Sequence, residues 1–162
     1  MKIFKSKIHF FIKYSFNIKR FPLFRIENNN FIFIHINKCA GTSILNYFNR
    51  SKMHFNSNEI IQIIGPSNFE KAIKFCCVRN PYDRIISLYF HRIKTYRMHK
   101  KVNINDWIFD IYHPDGKKKY KTGKYKMFNT QCSWIKNSFN IEVNEILKFE
   151  NLNNDFNDFC LK

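Results

Sequence analysis

The fold of this chain is decided at residues 31–43, whose sequence is FIFIHINKCAGTS. The apolar run Phe31–Ile36 predicts a buried strand, and residues 37–43 predict a polar turn that contains a glycine. Apolar residues then recur at helical spacing, so we expect a helix from Thr42 to Arg50. A strand, a loop and a helix in this order direct backbone N–H groups and the start of a helix toward an anion.

Residues 37–43, which we call the anion loop, carry groups that suit a phosphate or a phosphate-like group. Lys38 supplies a full charge, Gly41 lets a ligand approach the backbone, and Thr42 and Ser43 supply hydroxyls. The loop is not a Walker A motif, because its lysine precedes the glycine and no strand ends in an aspartate placed to hold Mg²⁺. It therefore favours an anion of lower charge than a nucleoside triphosphate, bound without a metal. The alternative is an ordinary turn with a solvated lysine.

A second block repeats this order of elements. Lys74–Val78 predicts another short strand, and Pro81 suits the first turn of a helix. Arg79 lies where the strand ends, and an arginine there can donate a fork of hydrogen bonds to a phosphate. Ser87 is placed to reach the same group from two turns into the helix. The alternative for Arg79 is a surface ion pair with Asp83.

Together, the two blocks resemble the cofactor signatures of sulfotransferases that use 3′-phosphoadenosine 5′-phosphosulfate (PAPS). The similar branch is that of the carbohydrate sulfotransferases, which includes heparan-sulfate 2-O and chondroitin 4-O enzymes and short bacterial relatives. The resemblance covers about residues 31–160, including a short helix at 131–135 and a strand and helix at 147–156. It implies transfer of a sulfuryl group from PAPS to a hydroxyl of a carbohydrate acceptor, with 3′,5′-ADP as product and no metal.

The resemblance also implies which residues bind the donor. The anion loop grips the 5′-phosphosulfate, while Arg79 and Ser87 hold the 3′-phosphate. Asn37 stands where the family usually has proline, and we expect a looser loop as a result. The loop residues that the resemblance assigns to cofactor binding are Lys38, Cys39, Ala40, Gly41, Thr42 and Ser43.

Sulfuryl transfer needs a cation beside the leaving phosphate oxygen and a base for the acceptor hydroxyl. Lys38 is the candidate cation. His54 is the candidate base, because short relatives carry a histidine at a similar place and histidine titrates near neutral pH. A structural hydrogen bond is the alternative for His54, and His91 is the next candidate. We expect His35 to be a packed strand residue, and Glu150 to bind the acceptor or support the loops.

Length and composition favour one domain. The chain has 162 residues, of which 44% are hydrophobic, enough to bury a core. We expect a basic, aromatic extension at residues 1–30, packed on the core as a strand or helix, and a sulfotransferase domain at 31–162 that is shortened at its C-terminal end. No apolar run reaches the ~20 residues of a membrane span, and no signal-peptide cleavage site is evident. We therefore expect a cytoplasmic enzyme, with peripheral contact to an anionic membrane as an alternative.

The net charge of +16 also suggests nucleic-acid binding. A bias toward Lys, Asn, Ile and Phe, which AT-rich coding can produce, weakens that interpretation. The densest basic run, KKKYKTGKYK at residues 117–126, predicts an exposed loop at the site entrance that binds an acidic sugar chain or phosphates, or is simply solvated. Three classes remain: a sulfotransferase, which we favour; an inactive cofactor-binding remnant; and a basic module for nucleic acid or another anionic polymer. The oligomeric state is not predicted.

The expected architecture is a three-layer α/β sandwich with a mainly parallel sheet and a P-loop-like loop for the phosphosulfate. The five cysteines form no C-x-x-C pair and suggest free thiols and no zinc site. Ser57 is the expected cap of the second helix. The predicted strands are Phe31–Ile36, Lys74–Val78 and Ile146–Phe149, and the predicted helices are Thr42–Arg50, Asn58–Ile64, Pro81 to about Arg97, and Ile104–Phe109.

Overall fold

The computed structural model describes residues 22–26, 28–95, 98–121, 125–136 and 143–161. These residues form an α/β fold around a four-stranded sheet with the strand order β1-β2-β3-β4. The α/β class is therefore confirmed. The strands are β1 (Leu23–Ile26), β2 (Asn29–Ile34), β3 (Ile73–Val78) and β4 (Glu145–Lys148).

The sheet is mixed. β1 pairs with β2 in antiparallel fashion, whereas β2 with β3 and β3 with β4 are parallel. β1 lies within the segment expected to be an N-terminal extension and occupies one edge of the sheet. Residues 74–77 of β3 are all buried. Because successive side chains of a strand point to opposite faces, both faces of β3 are covered.

Helices follow the strands much as the periodicity predicts, with ends displaced by a few residues. The fourth helix ends at Lys94, and the expected end at Arg97 lies outside the described residues. Two short 3₁₀ turns, Tyr125–Phe128 and Phe149–Asn151, complete the described elements. The described helices are α1 (Gly41–Tyr47), α2 (Ser57–Ile64), α3 (Pro66–Lys71), α4 (Pro81–Lys94), α5 (Ile104–Tyr112), α6 (Cys132–Ile135) and α7 (Leu152–Cys160).

Two apolar clusters hold these elements together. The larger one surrounds the sheet and contains tilted pairs of aromatic rings, Phe33 with Phe75 and Phe75 with Phe159. The smaller one joins α4 and α5 through Leu88, Trp107 and neighbouring side chains. The first turn of α4 lies beside the loop that follows β2, where Arg84 donates to the Asn37 carbonyl. Within the described ranges, no helix has the length and apolarity to cross a membrane.

Candidate anion-binding site

The anion loop connects β2 to α1 in a tightly constrained conformation. Lys38 and Ala40 both have left-handed backbone angles, with φ of 67° and 54°. Such angles cost about 1–3 kcal/mol each for residues other than glycine and persist only where surrounding contacts impose them. Those contacts include the buried thiol of Cys39, which donates to Gln131 Oε1 at 3.2 Å. Burial raises the pKa of this thiol to about 11, so it stays a protonated donor.

Gly41 is required by a neighbouring side chain. A Cβ atom at this position would lie 1.9 Å from Cδ2 and Nε2 of His35, far inside van der Waals contact. The sequence suggested instead that Gly41 admits a ligand to the backbone. The packing of His35 is a reason that the motif alone did not indicate.

Arg79 reaches the anion loop from the end of β3. Its guanidinium lies over the ring of Phe149, 4.1 Å from the centroid, and Nη1 donates to the Lys38 carbonyl at 3.5 Å. The ion pair with Asp83, considered as an alternative, is not formed in the described part of the chain. A cation–π contact of this kind fixes the direction of the guanidinium without neutralising its charge.

Gln131 joins the two blocks through its side-chain amide. Oε1 accepts from the Arg79 backbone N–H at 2.9 Å, and Nε2 donates to the Arg79 carbonyl at 2.7 Å. The same oxygen accepts from the Cys39 thiol. Glu150, a candidate acceptor ligand or loop support, accepts from the Asn80 N–H at 2.6 Å and so acts as a support.

Arg84, on the first turn of α4, is hydrogen-bonded to the anion loop. The side chain is buried, and Nε donates to the Asn37 carbonyl at 3.0 Å. Nη1 and Nη2 donate to the carbonyls of Asn129 and Met127 at 3.0 and 3.1 Å. All three bonds are to backbone oxygens, so this arginine is a structural cation.

A cavity of about 410 Å³, which we call the anion cavity, opens where these elements meet. Three cations line it, Lys38, Lys52 and Arg79, together with three histidines. Of the side chains that the structure describes, no carboxylate lines this cavity. The sequence-predicted residues that line it are Lys38, Ala40, Gly41, Thr42, His54, Arg79 and Ser87, whereas Cys39 faces the core and Ser43 does not line it.

The electrostatics of the anion cavity favour an anion. Burial lowers the pKa of Lys38, and the nearby charges of Arg79, Lys52 and Lys94 lower it further. Each neighbour therefore opposes the charge of Lys38, and an anion placed among them would relieve that repulsion. An adjoining groove of about 490 Å³ shares four residues with the cavity and adds one carboxylate, one lysine and two apolar side chains. The shared residues are Lys38, Arg79, Ser87 and His91, and the added ones are Asp83, Ile86, Phe90 and Lys94.

His54 lies at the wall of the anion cavity with a defined ring orientation. Its Nδ1 is 3.4 Å from the His35 carbonyl, and its Nε2 is 3.5 Å from Nδ2 of Asn37. Both contacts are satisfied when Nδ1 carries the proton and Nε2 accepts from the amide. In that tautomer, Nε2 is the basic nitrogen. The Lys126 ammonium donates to the His54 carbonyl at 3.1 Å and also pairs with Glu59, which fixes the backbone here.

Three contributors to the site were not identified from the sequence: Gln131, Phe149 and Lys52. The contacts of Gln131 and Phe149 join positions far apart in the chain, and no local pattern signals them. Lys52 stands two residues before His54, and this proximity was the one available indication.

Comparison with models of protein families matches residues 22–160 to the sulfotransferase family. The matched span contains all four described strands, the anion loop and the block around Arg79. Searches of curated proteins and of solved structures found no match. Since the family model covers most of the sequence, the chain belongs to the sulfotransferase family.

Proposed function

We propose that this protein transfers a sulfuryl group from PAPS to a hydroxyl of a carbohydrate acceptor. The observation that carries the proposal is a cavity with Lys38, Lys52 and Arg79 on its wall and no carboxylate among its described lining residues. A ligand with anionic groups at both ends suits this arrangement. The carbohydrate class is supported by the likeness of the two sequence blocks to the carbohydrate branch, and by the net charge of +16, which would attract an acidic sugar chain.

The residues present fit PAPS, which supplies the activated sulfuryl group. We assign the anion loop a P-loop-like role, with Lys38, Thr42 and the backbone N–H groups of residues 39–42 at the 5′-phosphosulfate. Arg79 and Ser87 are assigned to the 3′-phosphate. Burial of both faces of β3 supports a three-layer arrangement of helix, sheet and helix behind this site.

Two side chains carry the chemistry in this proposal. Lys38 stabilises the negative charge that develops on the leaving phosphate oxygen, a type of contribution that is worth about 10²–10³ in rate. His54 Nε2 takes the proton of the acceptor hydroxyl, which contributes typically ~10²–10⁴-fold. The tautomer set by the His35 carbonyl supports this role, since it leaves Nε2 as the acceptor; the acceptor hydroxyl would replace the long 3.5 Å contact of Nε2 with the Asn37 amide.

Calorimetry with 3′,5′-ADP tests donor binding. The wild-type protein is expected to bind it saturably, and Lys38→Ala and Arg79→Ala each to weaken binding by about tenfold or more, as loss of a charged contact does. Lys100→Ala, at an exposed lysine outside the anion cavity, is the matched control and should bind as the wild type does. Equal binding by all four proteins, or no saturable binding, would refute the donor site.

Transfer of labelled sulfate to a panel of glycans tests the reaction itself. His54→Ala is expected to lower kcat by about 10²-fold while the Kd for 3′,5′-ADP stays near the wild-type value. An unchanged kcat would exclude His54 as the base. Wild-type protein that binds 3′,5′-ADP but sulfates no glycan would be the inactive remnant.

A further inference from the structure

We propose that His35 is a positioning residue, whose ring holds the anion loop and the base His54 in a fixed relation to each other. The inference deepens the proposed function and rests on it, because it takes His54 as the base and Lys38 as the cation. His35 directly follows β2 and is 5% exposed.

The His35 ring packs against Gly41 of the anion loop, in the space that a side chain at residue 41 would fill. Its Cδ2 and Nε2 occupy the place where a Cβ atom of residue 41 would stand, 1.9 Å away. Any side chain at residue 41 would have to displace the ring or move the first turn of α1. The position of His35 and the course of the loop are therefore coupled.

The same ring contacts His54. The two imidazole centroids are 4.1 Å apart with an interplanar angle of 38°, and the His35 carbonyl meets Nδ1 of His54 at 3.4 Å. One residue thus sets both the tilt of the His54 ring, by packing, and its tautomer, through the carbonyl. On its core side, His35 is stacked on Phe33 at 5.7 Å, which anchors it to β2.

His35 itself is unsuited to proton transfer. Burial, together with the charges of His54 and Lys52, lowers its pKa to about 3, although the Met53 backbone offsets part of this effect. The imidazole is neutral at the pH of the cell, so it does not compete with His54 for the proton of the acceptor. Its contribution is to hold Lys38 and His54 at fixed positions relative to each other. A catalytic group that is misplaced by ~1 Å lowers the rate by about 10²-fold.

Three variants distinguish a positioning role of His35 from a purely structural role. His35→Ala is expected to lower kcat by about 10²-fold with the Kd for 3′,5′-ADP near the wild-type value. Gly41→Ala forces a methyl group against the ring and is expected to weaken 3′,5′-ADP binding and lower kcat together. In His35→Ala/Gly41→Ala the ring is gone, so nucleotide binding should return while kcat stays low. A wild-type kcat in His35→Ala, or a double variant that binds no better than Gly41→Ala, would overturn the proposal.

Histidine NMR provides a readout that does not depend on catalysis. The Cε1–H signal of His54, assigned by its loss in His54→Ala, is expected to move in His35→Ala because the adjacent aromatic ring is removed. The matched control is His99→Ala, at an exposed histidine, which should leave that signal in place. An unmoved signal in His35→Ala would overturn the proposal. Failure of wild-type protein to bind 3′,5′-ADP would instead count against the proposed function.

Discussion

At the scale of single residues, the side-chain amide of Gln131 does most to join the two sequence blocks. It makes both backbone hydrogen bonds of Arg79 and accepts from the Cys39 thiol, so it links the end of β3 to the anion loop. An amide can donate and accept at once, which a carboxylate cannot do. Gln131 is therefore suited to hold the cavity wall without adding a charge to it.

Removing this amide should destabilise the fold. Gln131→Ala is expected to lower the free energy of unfolding by about 1–3 kcal/mol, because partly buried backbone groups of Arg79 lose their partners. Gln131→Glu retains the acceptor but not the donor and should cause a smaller loss. Urea unfolding measures both, with the exposed neighbour Cys132→Ala as control. Equal stability of all four proteins would contradict the role assigned to Gln131.

The buried His35 predicts how stability changes with pH. Its pKa falls from 6.5 to about 3 on folding, so between these pH values the unfolded chain binds a proton that the folded chain does not. Stability therefore rises with pH across this window, by up to about 1.4 kcal/mol per unit, and levels off above it. Urea unfolding at pH 5 and pH 7.5 should show a loss of about 2 kcal/mol at the lower pH from this residue. The loss should be smaller in His35→Phe; an equal loss in both proteins would exclude His35 as its source.

Several site residues were predictable because their chemistry is local. Lys38, Ser87 and Arg79 stand at the ends of a strand or on the first turns of a helix, and the structure brings all three to one cavity together with His54. The reason for Gly41 was not predictable, because the His35 ring that requires it is positioned by the tertiary fold. Phe149 was missed for the same reason, since it lies 70 residues from Arg79.

At the scale of elements, hydrophobic periodicity found most helices and strands, whereas capping decided their ends. The sequence favoured Ser57 as the cap of α2, but that prediction was wrong. Asn56 caps the helix and forms a reciprocal pair with Glu59, while the Ser57 hydroxyl donates to the carbonyls of Trp134 and Ile135. Both residue types are good caps, so only the tertiary contact separates them. The short helix α3 and the edge strand β1 lacked a strong periodic signal.

Loss of the α2 cap gives a prediction for that helix. Asn56→Ala should lower the free energy of unfolding by about 1 kcal/mol, because the Glu59 N–H loses its acceptor at 2.9 Å. The control is Gln62→Ala, at an exposed position within the same helix, which should change stability little. Denaturant unfolding measures both. If the two variants were equally stable, the capping box would contribute nothing measurable.

At the scale of the whole molecule, the charge of +16 predicts two kinds of anion binding with different salt responses. Duplex DNA held by scattered lysines should bind about 10³-fold more weakly at 200 mM than at 50 mM salt, because bound counterions are released. Binding of 3′,5′-ADP in a defined cavity should weaken by only about tenfold or less over this range, because it involves few charges. Fluorescence anisotropy measures the binding of DNA, and calorimetry measures the binding of 3′,5′-ADP.

The basic run at residues 117–126, of which residues 122–124 lie outside the described ranges, offers the control for this comparison. Lys117→Ala/Lys119→Ala changes two exposed lysines and should weaken DNA binding while leaving 3′,5′-ADP binding intact. Arg79→Ala should do the reverse. If the lysine pair instead governed 3′,5′-ADP binding, or if DNA binding required Arg79, the basic-module function would be favoured over the sulfotransferase.

The hydrogen bonds of Gln131 also bear on how the protein is made. They join residues 52 and 92 positions apart, so the anion loop and the end of β3 emerge from the ribosome well before the residue that ties them together. Contacts of such long range form late and slowly. On the nascent chain, the two left-handed residues of the loop lack the support that holds them, and their strained geometry is secured only after Gln131 has been translated.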